Sequence, residues 1–265
     1  MIPSRQLTLA VKDLKDGIAS RHIWSTLGWQ EIKQRYRRSA LGPFWLTIST
    51  GTLVAAMGPL YGRLFGQDTS SYLPFLATGF VVWQLIASMI NESTQVFIGA
   101  EQFIKQIRLP LTVHVMRMVW RNAIVFAHNS VIVFLALAFY LPQWEWSALL
   151  AFPGLLAILV NGIWAGILLG LFCARFRDIP QIVGSLVTVA FFLTPVLWKH
   201  EMLGRHQWAA QLNPLFHLLE VVRAPLLGTT SVALSWVVVV GMTLVGFFVT
   251  LVVFARFRGR IAYWV

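Results

Sequence analysis

Charge is what this chain has least of. Its 265 residues hold 10 Asp and Glu against 21 Lys and Arg, and only one cysteine. Neither sign occurs in six stretches, residues 39–62, 69–91, 122–144, 146–174, 179–198 and 224–255, each at least 20 residues long. Runs of that length cross a bilayer as helices, because a helix satisfies its own backbone polar groups in hydrocarbon. The lone Cys173 excludes an internal disulfide. The first 38 residues are basic and lack an apolar core of signal-peptide length, so the first run is expected to serve as its own insertion signal.

The catalytic groups a membrane enzyme needs are also missing. The string 16–21 faintly resembles an alcohol phosphotransferase signature, but no further Asp follows until Asp68, which leaves a two-metal carboxylate site without ligands. There is no H-x-x-x-x-D, no G-x-S-x-G and no pair of intramembrane carboxylates. His114 and His128 would lie about 21 Å apart on one helix at 1.5 Å per residue, too far to share a metal. His200 and His206 have no Cys or Asp at ligand spacing. The uncharged runs lack the acids and bases of ion-coupled transport, and no G-x-x-x-x-G-K-[ST] loop is present to cradle ATP phosphates. No cofactor is therefore expected on this chain, and uphill transport would draw its energy from a second polypeptide.

What is present is a topology. If six crossings alternate from a cytoplasmic N-terminus, every Lys and Arg except Arg63, Lys199, Arg205 and Arg223 falls at a cytoplasmic end. The expected fold is an all-α polytopic membrane protein of one domain, 1–265, with six transmembrane helices and both ends in the cytoplasm. The net charge of +11 then follows from the cytoplasmic loops. No basic stripe interleaved with stacking aromatics points to nucleic acid.

The connections carry the remaining signals. Residues 20–38 read as an N-terminal interface helix with two apolar stripes, one of Trp29, Ile32 and Tyr36 and one of Ile23, Trp24 and Leu27, reconciled by a bend near Gly28. Gly42 and Pro43 break the chain as it enters the first run. Arg35, Arg37 and Arg38 fall at the headgroup level, where guanidinium suits anionic lipid or pyrophosphate. In the connection after the second run, Phe103, Ile104 and Ile107 oppose Glu101, Lys105 and Arg108 on a short amphipathic helix closed by Pro110. Too short to span, it has the character of an element that docks into a partner. Arg117 and Arg121 share one face at the start of the third run. Gly162, Gly166 and Gly170 form a small-xxx-small series for close helix packing. Asp178 is positioned to cap the following helix, with Pro180 in its first turn. Residues 199–223 are irregular and external, expected as one or two short helices dipping into the outer leaflet with Glu220 and Arg223 as an i,i+3 pair.

Aromatics are abundant: 12 Trp, 19 Phe and 5 Tyr. Most suit interface belts or packing. Trp45, Trp83, Phe191 and Phe192 lie on helices expected to face a pore, where flat rings give apolar contact to sugars in many orientations.

Three strings, RYRRSALGPFW at 35–45, ARFRDIP at 174–180 and NPLFHLLEVVRAPLLG at 213–228, together resemble the membrane subunit of ABC-2-type polysaccharide exporters, specifically O-antigen export permeases of the Wzm type. The resemblance covers nearly the whole chain in order and spacing. It implies a homodimer paired with two copies of a separate ATP-binding subunit, passing lipid-linked polysaccharide from cytoplasm to periplasm through the bacterial inner membrane. It implies an interface helix at 20–38, a coupling helix at 99–109 that docks on the ATPase, and an external gate region at 199–227 that includes Asn213, Pro214, Glu220 and Arg223. The alternatives are an ABC-2 exporter of teichoic acid or a small lipophile, and, from a different class, a polytopic glycan-modifying enzyme. Turnover without any ATPase would mark the enzyme.

Overall fold

The computed structural model describes residues 4–37, 42, 44–140, 146–229 and 232–265. Within them the chain is helical, with no strand. The helices are α1 (Ser4–Ala19), α2 (Arg21–Tyr36), α3 (Phe44–Leu64), α4 (Thr69–Ser93), α5 (Glu101–Gln106), α6 (Thr112–Tyr140), α7 (Ala151–Arg175), α8 (Ile179–Leu193), α9 (Trp208–Gln211), α10 (Pro214–Leu226), α11 (Ala233–Phe257) and α12 (Ile261–Trp264), with short 3₁₀ turns between some of them.

Four segments have the length and apolarity to cross a membrane: Thr69–Ser93, Thr112–Tyr140, Trp146–Arg175 and Ala233–Trp264. The other two uncharged runs fold differently. From residue 44 the first run lies in α3, a helix of 21 residues that carries Pro59 and extends through Arg63. Residues 179–198 give α8 of only 15 residues, about 22 Å long at 1.5 Å per residue. Pro195 disfavours helical geometry at the residue before it, and Thr194 is extended with ψ of 135°. Absence of charge therefore overstates the helix by the length of the segment 194–198.

The bundle is built around α4, which packs against α3, α6, α7, α8 and α10. Its buried face runs from Tyr72 to Ser93 and includes Leu76, Val82, Ile86 and Met89. The glycine series on α7 acts as the spacing predicts. A Cβ at Gly162 would stand 1.6 Å from Met89 Cε, at Gly166 2.7 Å from Val115 Cγ1, and at Gly170 2.4 Å from Val96 Cγ1. Each glycine lets α7 approach α4, α6 or the segment that follows α4 closely enough for dense packing, the main source of helix association in lipid.

The elements before α3 and α8 differ in detail from their sequence patterns. The helix Arg21–Tyr36 runs unbroken through Gly28. Gly28 also serves a close contact: its Cβ would lie 3.1 Å from Trp120 Cδ1 and 3.3 Å from the Arg117 carbonyl. Asp178 occupies the N-cap of α8 but makes no side-chain hydrogen bond to it, and Pro180 stands in the first turn. Gly42 adopts φ of 57°, the left-handed geometry of a chain break, while Pro43 lies outside the described residues.

Helix α1 is an addition to the expected elements. Ala10, Asp13 and Gly17 are buried at helical spacing, and a Cβ on Gly17 would meet Thr112 Cβ at 2.6 Å. Its packing stripe is made of these small and acidic residues together with the partly buried Leu14, which meets the main core.

Candidate functional site

At the end of the bundle where α4 finishes and α6 begins, the chain makes a compact platform from α1, α2, α5 and α12. Phe97 and Ala100 are fully buried and root the turn Ile98–Ala100 that leads into α5. On α5, Ile104 is half-buried and packs into the main core. Phe103 and Ile107 remain 38 % and 50 % exposed. Phe103 stands 5.9 Å from the Arg117 guanidinium and 6.4 Å from the His114 ring, centroid to group. Of the three apolar residues here, Ile104 packs into the core, Phe103 rests against Arg117 and His114 with part of its ring exposed, and Ile107 faces outward from the C-cap. Lys105 Nζ donates to Glu101 Oε1 at 2.6 Å, and this bond holds the Glu101 carboxyl below its usual range. Arg108 is exposed beyond the helix.

Asp13 secures the start of α6 beneath α5. Its carboxylate accepts from Thr112 N at 3.1 Å, Thr112 Oγ1 at 2.8 Å and Leu111 N at 3.3 Å, and it pairs with Arg258 at 3.1 Å. A carboxylate placed there satisfies first-turn N–H donors and meets the positive end of the helix dipole. One acid thus ties α1, α6 and the segment after α11 together.

A second acid network fastens α2. Glu31 pairs with Arg117 at 3.0 Å and with Arg121, while Arg121 Nη2 also reaches Glu92 Oε2 at 2.7 Å. Asn122 Nδ2 donates to the same Glu92 oxygen at 2.6 Å. Arg35 lies at the edge of this network, 3.9 Å from Glu92, with half its side chain exposed. Arg37 is exposed, and Arg38 lies outside the described residues. Neither Glu31 nor Glu92 is apparent as a partner from spacing, since the pairs join residues 29 to 90 positions apart. Their signal was scarcity: they are two of only 10 acids in the chain.

The aromatic residues divide. Trp83 is 5 % exposed and lies beneath Phe191, with centroids 5.8 Å apart, and Phe191 contacts Phe192 at 5.2 Å. Phe80 joins the group at 6.3 Å from Phe191. Phe192 is 64 % exposed, so the cluster presents one ring outward and backs it with others. Trp45, on α3, is exposed and makes no ring contact with this cluster among the described residues.

At the opposite end, the segment after α8 is pinned from three sides. Asn213 caps α10, accepting from Leu215 N at 3.0 Å while its Nδ2 donates to Thr194 Oγ1 at 2.8 Å, and Pro214 takes the first helical position. Tyr72 Oη donates to the Leu197 carbonyl at 2.5 Å. Arg223 is fully buried: Nε donates to Glu220 Oε1 at 2.9 Å, Nη1 to the Pro195 carbonyl at 2.5 Å, and its guanidinium stacks 4.3 Å from the Phe75 centroid. The Glu220–Arg223 pair was legible at i,i+3. That α10 sinks between α4, α7 and α11 was not, because the two charges make it read as a surface helix.

Among the described residues no group of three His, Cys, Asp or Glu side chains offers a metal site. The arrangement is a platform of short helices at one end, a partly exposed aromatic cluster along the bundle and a pinned segment after α8 at the other end.

Residues 23–227 match the model of the ABC-2 type transporter family. An O-antigen export system permease protein RfbA from Klebsiella pneumoniae is 26 % identical over 195 residues, covering 72 % of this chain and 74 % of its own. A second from that organism is 27 % identical over 196 residues, with the same coverage. One from Myxococcus xanthus is 24 % identical over 208 residues, 77 % of this chain and 80 % of the relative.

Proposed function

This chain belongs to the ABC-2 type transporter family, and from that membership we propose that it is the membrane permease of an ATP-driven exporter of lipid-linked, O-antigen-like polysaccharide. It works as a homodimer in the bacterial inner membrane, beside two copies of a separate ATPase that binds the ATP. The observation that carries the substrate is the likeness, over about three quarters of each chain, to permeases named for O-antigen export. In this reading α3 and α8 complete six spans with the four longer apolar helices. The platform of α1, α2, α5 and α12 faces the cytoplasm.

The mechanism follows from how α5 is attached. ATP-driven closure of the partner subunits presses on Phe103 and Ile107. Because Ile104, Phe97 and Ala100 anchor that element in the core, the push is delivered to α4 and α6 without bending α5 away. The Glu31 and Glu92 pairs make α2 move with α6. The two copies of α3 and α8 then separate across the dimer. Arg35, Arg37 and Arg38 attract the pyrophosphate of the lipid carrier at the entrance. The glycan follows Trp45 and Phe192, with Phe191 and Trp83 stiffening the lining behind them. Asn213, Pro214, Glu220 and Arg223 hold the exit segment.

The test is co-purification in detergent of the tagged chain with the ATPase encoded beside it, followed by a hydrolysis assay. A stable two-plus-two complex with vanadate-sensitive turnover supports the exporter. Failure to associate when both are well expressed, or turnover of a glycan by the permease alone, overturns it.

A further inference from the structure

Four arginines gather where α7 and α11 end, three of them over the rings of Phe176, Trp264 and Phe257 and the fourth on the Trp264 carbonyl. The Arg175 guanidinium lies 5.5 Å from the Phe176 ring centroid and 5.8 Å from that of Trp264. Arg177 Nη2 donates to the Trp264 carbonyl at 3.1 Å. Arg256 and Arg260 each lie 5.7 Å from the Phe257 centroid, and Phe257 and Trp264 are themselves 5.9 Å apart. The support beneath them is rigid, since Ile261 and Val265 are buried.

All four arginines are exposed, and among the described residues none forms an ion pair with a carboxylate. Arg258, from the same segment, differs: it turns inward to Asp13. Two acids lie near the cluster without forming an ion pair with it: Glu101 is bonded to Lys105 and also feels the charge of Arg177, and Asp178 is exposed beside Arg177. Stacking a guanidinium on a ring restrains it while leaving N–H donors free, and that planar fork matches phosphate oxygens bidentately.

Depth selects among phosphates. Both α7 and α11 belong to segments long and apolar enough to cross a bilayer, so their ends lie at the headgroup layer. Tyr263 is 88 % exposed and Phe176 53 %, the kind of amphipathic or apolar ring that sits among headgroups. We propose that Arg175, Arg177, Arg256 and Arg260 form a binding site for the phosphates of an anionic membrane phospholipid. The two pairs of guanidiniums, one about Trp264 and one about Phe257, best fit a headgroup carrying two phosphates, as in cardiolipin. The site is separate from Arg35 and Arg37 and rests only on the chain being a membrane protein, not on the polysaccharide reading.

The experiment is native mass spectrometry of the detergent-purified chain titrated with cardiolipin, phosphatidylglycerol or phosphatidylethanolamine. It compares the parent with R175Q/R177Q/R256Q/R260Q and with R5Q/R63Q, two exposed arginines given no binding role. The parent should prefer cardiolipin, and the fourfold variant should bind it at least about tenfold more weakly, while the R5Q/R63Q control does not. A fourfold Arg→Lys variant keeps the charge and loses the fork; its affinity should fall between the two, which also guards against misfolding of the Gln variant. Equal cardiolipin binding by parent and both fourfold variants would overturn the proposal. So would displacement of cardiolipin by inorganic pyrophosphate at stoichiometric levels, which would assign the site to a soluble or carrier pyrophosphate. Loss of ATPase association with lipid binding unchanged would make the patch a protein-docking surface and sink it equally.

Discussion

Gly154 and Gly162 both lack a side chain where another helix passes, yet the obstacle differs. A Cβ at Gly154 would lie 2.3 Å from the Val221 carbonyl oxygen and 2.8 Å from its carbon, atoms of the α10 backbone. At Gly162 the nominal overlap is worse, 1.6 Å, but the atom is the terminal methyl of Met89. A flexible Met end can swing aside, whereas a helix backbone must translate. Gly154→Ala should therefore destabilise by about 1–3 kcal/mol, an overpacking cost, and Gly162→Ala by less. Thermal denaturation of the two variants in detergent reads the order, and the reverse order would refute the tight α7–α10 seam. The same scale governs Arg223. Glu220→Gln leaves a buried guanidinium without its counter-charge, a loss of roughly 3–5 kcal/mol, while the double variant E220Q/R223M removes the orphan and should recover part of it. A double-mutant cycle on midpoint temperature checks this; additive losses would mean that the pair is not coupled.

Helix α5 separates two roles that sequence spacing merges. Phe103, Ile104 and Ile107 form one apolar stripe on paper, and only the structure distinguishes the anchor from the outward pair. Phe103→Asp combined with Ile107→Asp should leave the permease folded and monodisperse but reduce ATPase association and export at least about tenfold, in line with the loss of central apolar contacts from an interface. Ile104→Asp should instead lower the stability of the permease itself, since it buries a charge in the core. If F103D/I107D exported at the normal rate, α5 would not be the docking element. The neighbouring elements explain why part of this platform was legible and part was not. The amphipathic character of α5 and the shared face of Arg117 and Arg121 are local patterns within a few residues. The partners of those arginines are not local: Glu31 pairs with both, reaching Arg121 across 90 positions, and Glu92 reaches Arg121 across 29. Helix α1 is hard to read from sequence because its fully buried positions are Ala10, Asp13 and Gly17, with Leu14 only partly buried beside them.

At the scale of the whole molecule, uncharged runs located the membrane-embedded chain but not the ends of its helices. Hydropathy is insensitive to the extended segment that follows Thr194 or to the burial of α10, whose Arg223 is hidden by pairing and stacking. What the runs could not reveal is how the bundle is completed. Helix α8 has no buried residue along its length, and Ile182, Leu186, Val189 and Phe192 are all exposed. On α3, Trp45, Ile48 and Leu53 are exposed as well. Lipid can cover such faces, but the proposed homodimer covers them with a second copy and makes the aromatic cluster an inner wall. The two coverings differ in what a cysteine would meet. Cys173 is buried, so the parent chain provides a quiet background for site-directed cross-linking. Phe192→Cys or Val189→Cys should yield a cross-linked dimer with a short bifunctional maleimide in native membranes. Phe139→Cys, exposed on α6, should not. ATP and vanadate acting on the assembled complex should change the α8 yield, because the proposed stroke moves those helices apart. Cross-linking from α6 but not α8 would move the dimer interface to the other side of the bundle, and with it the path assigned to the glycan.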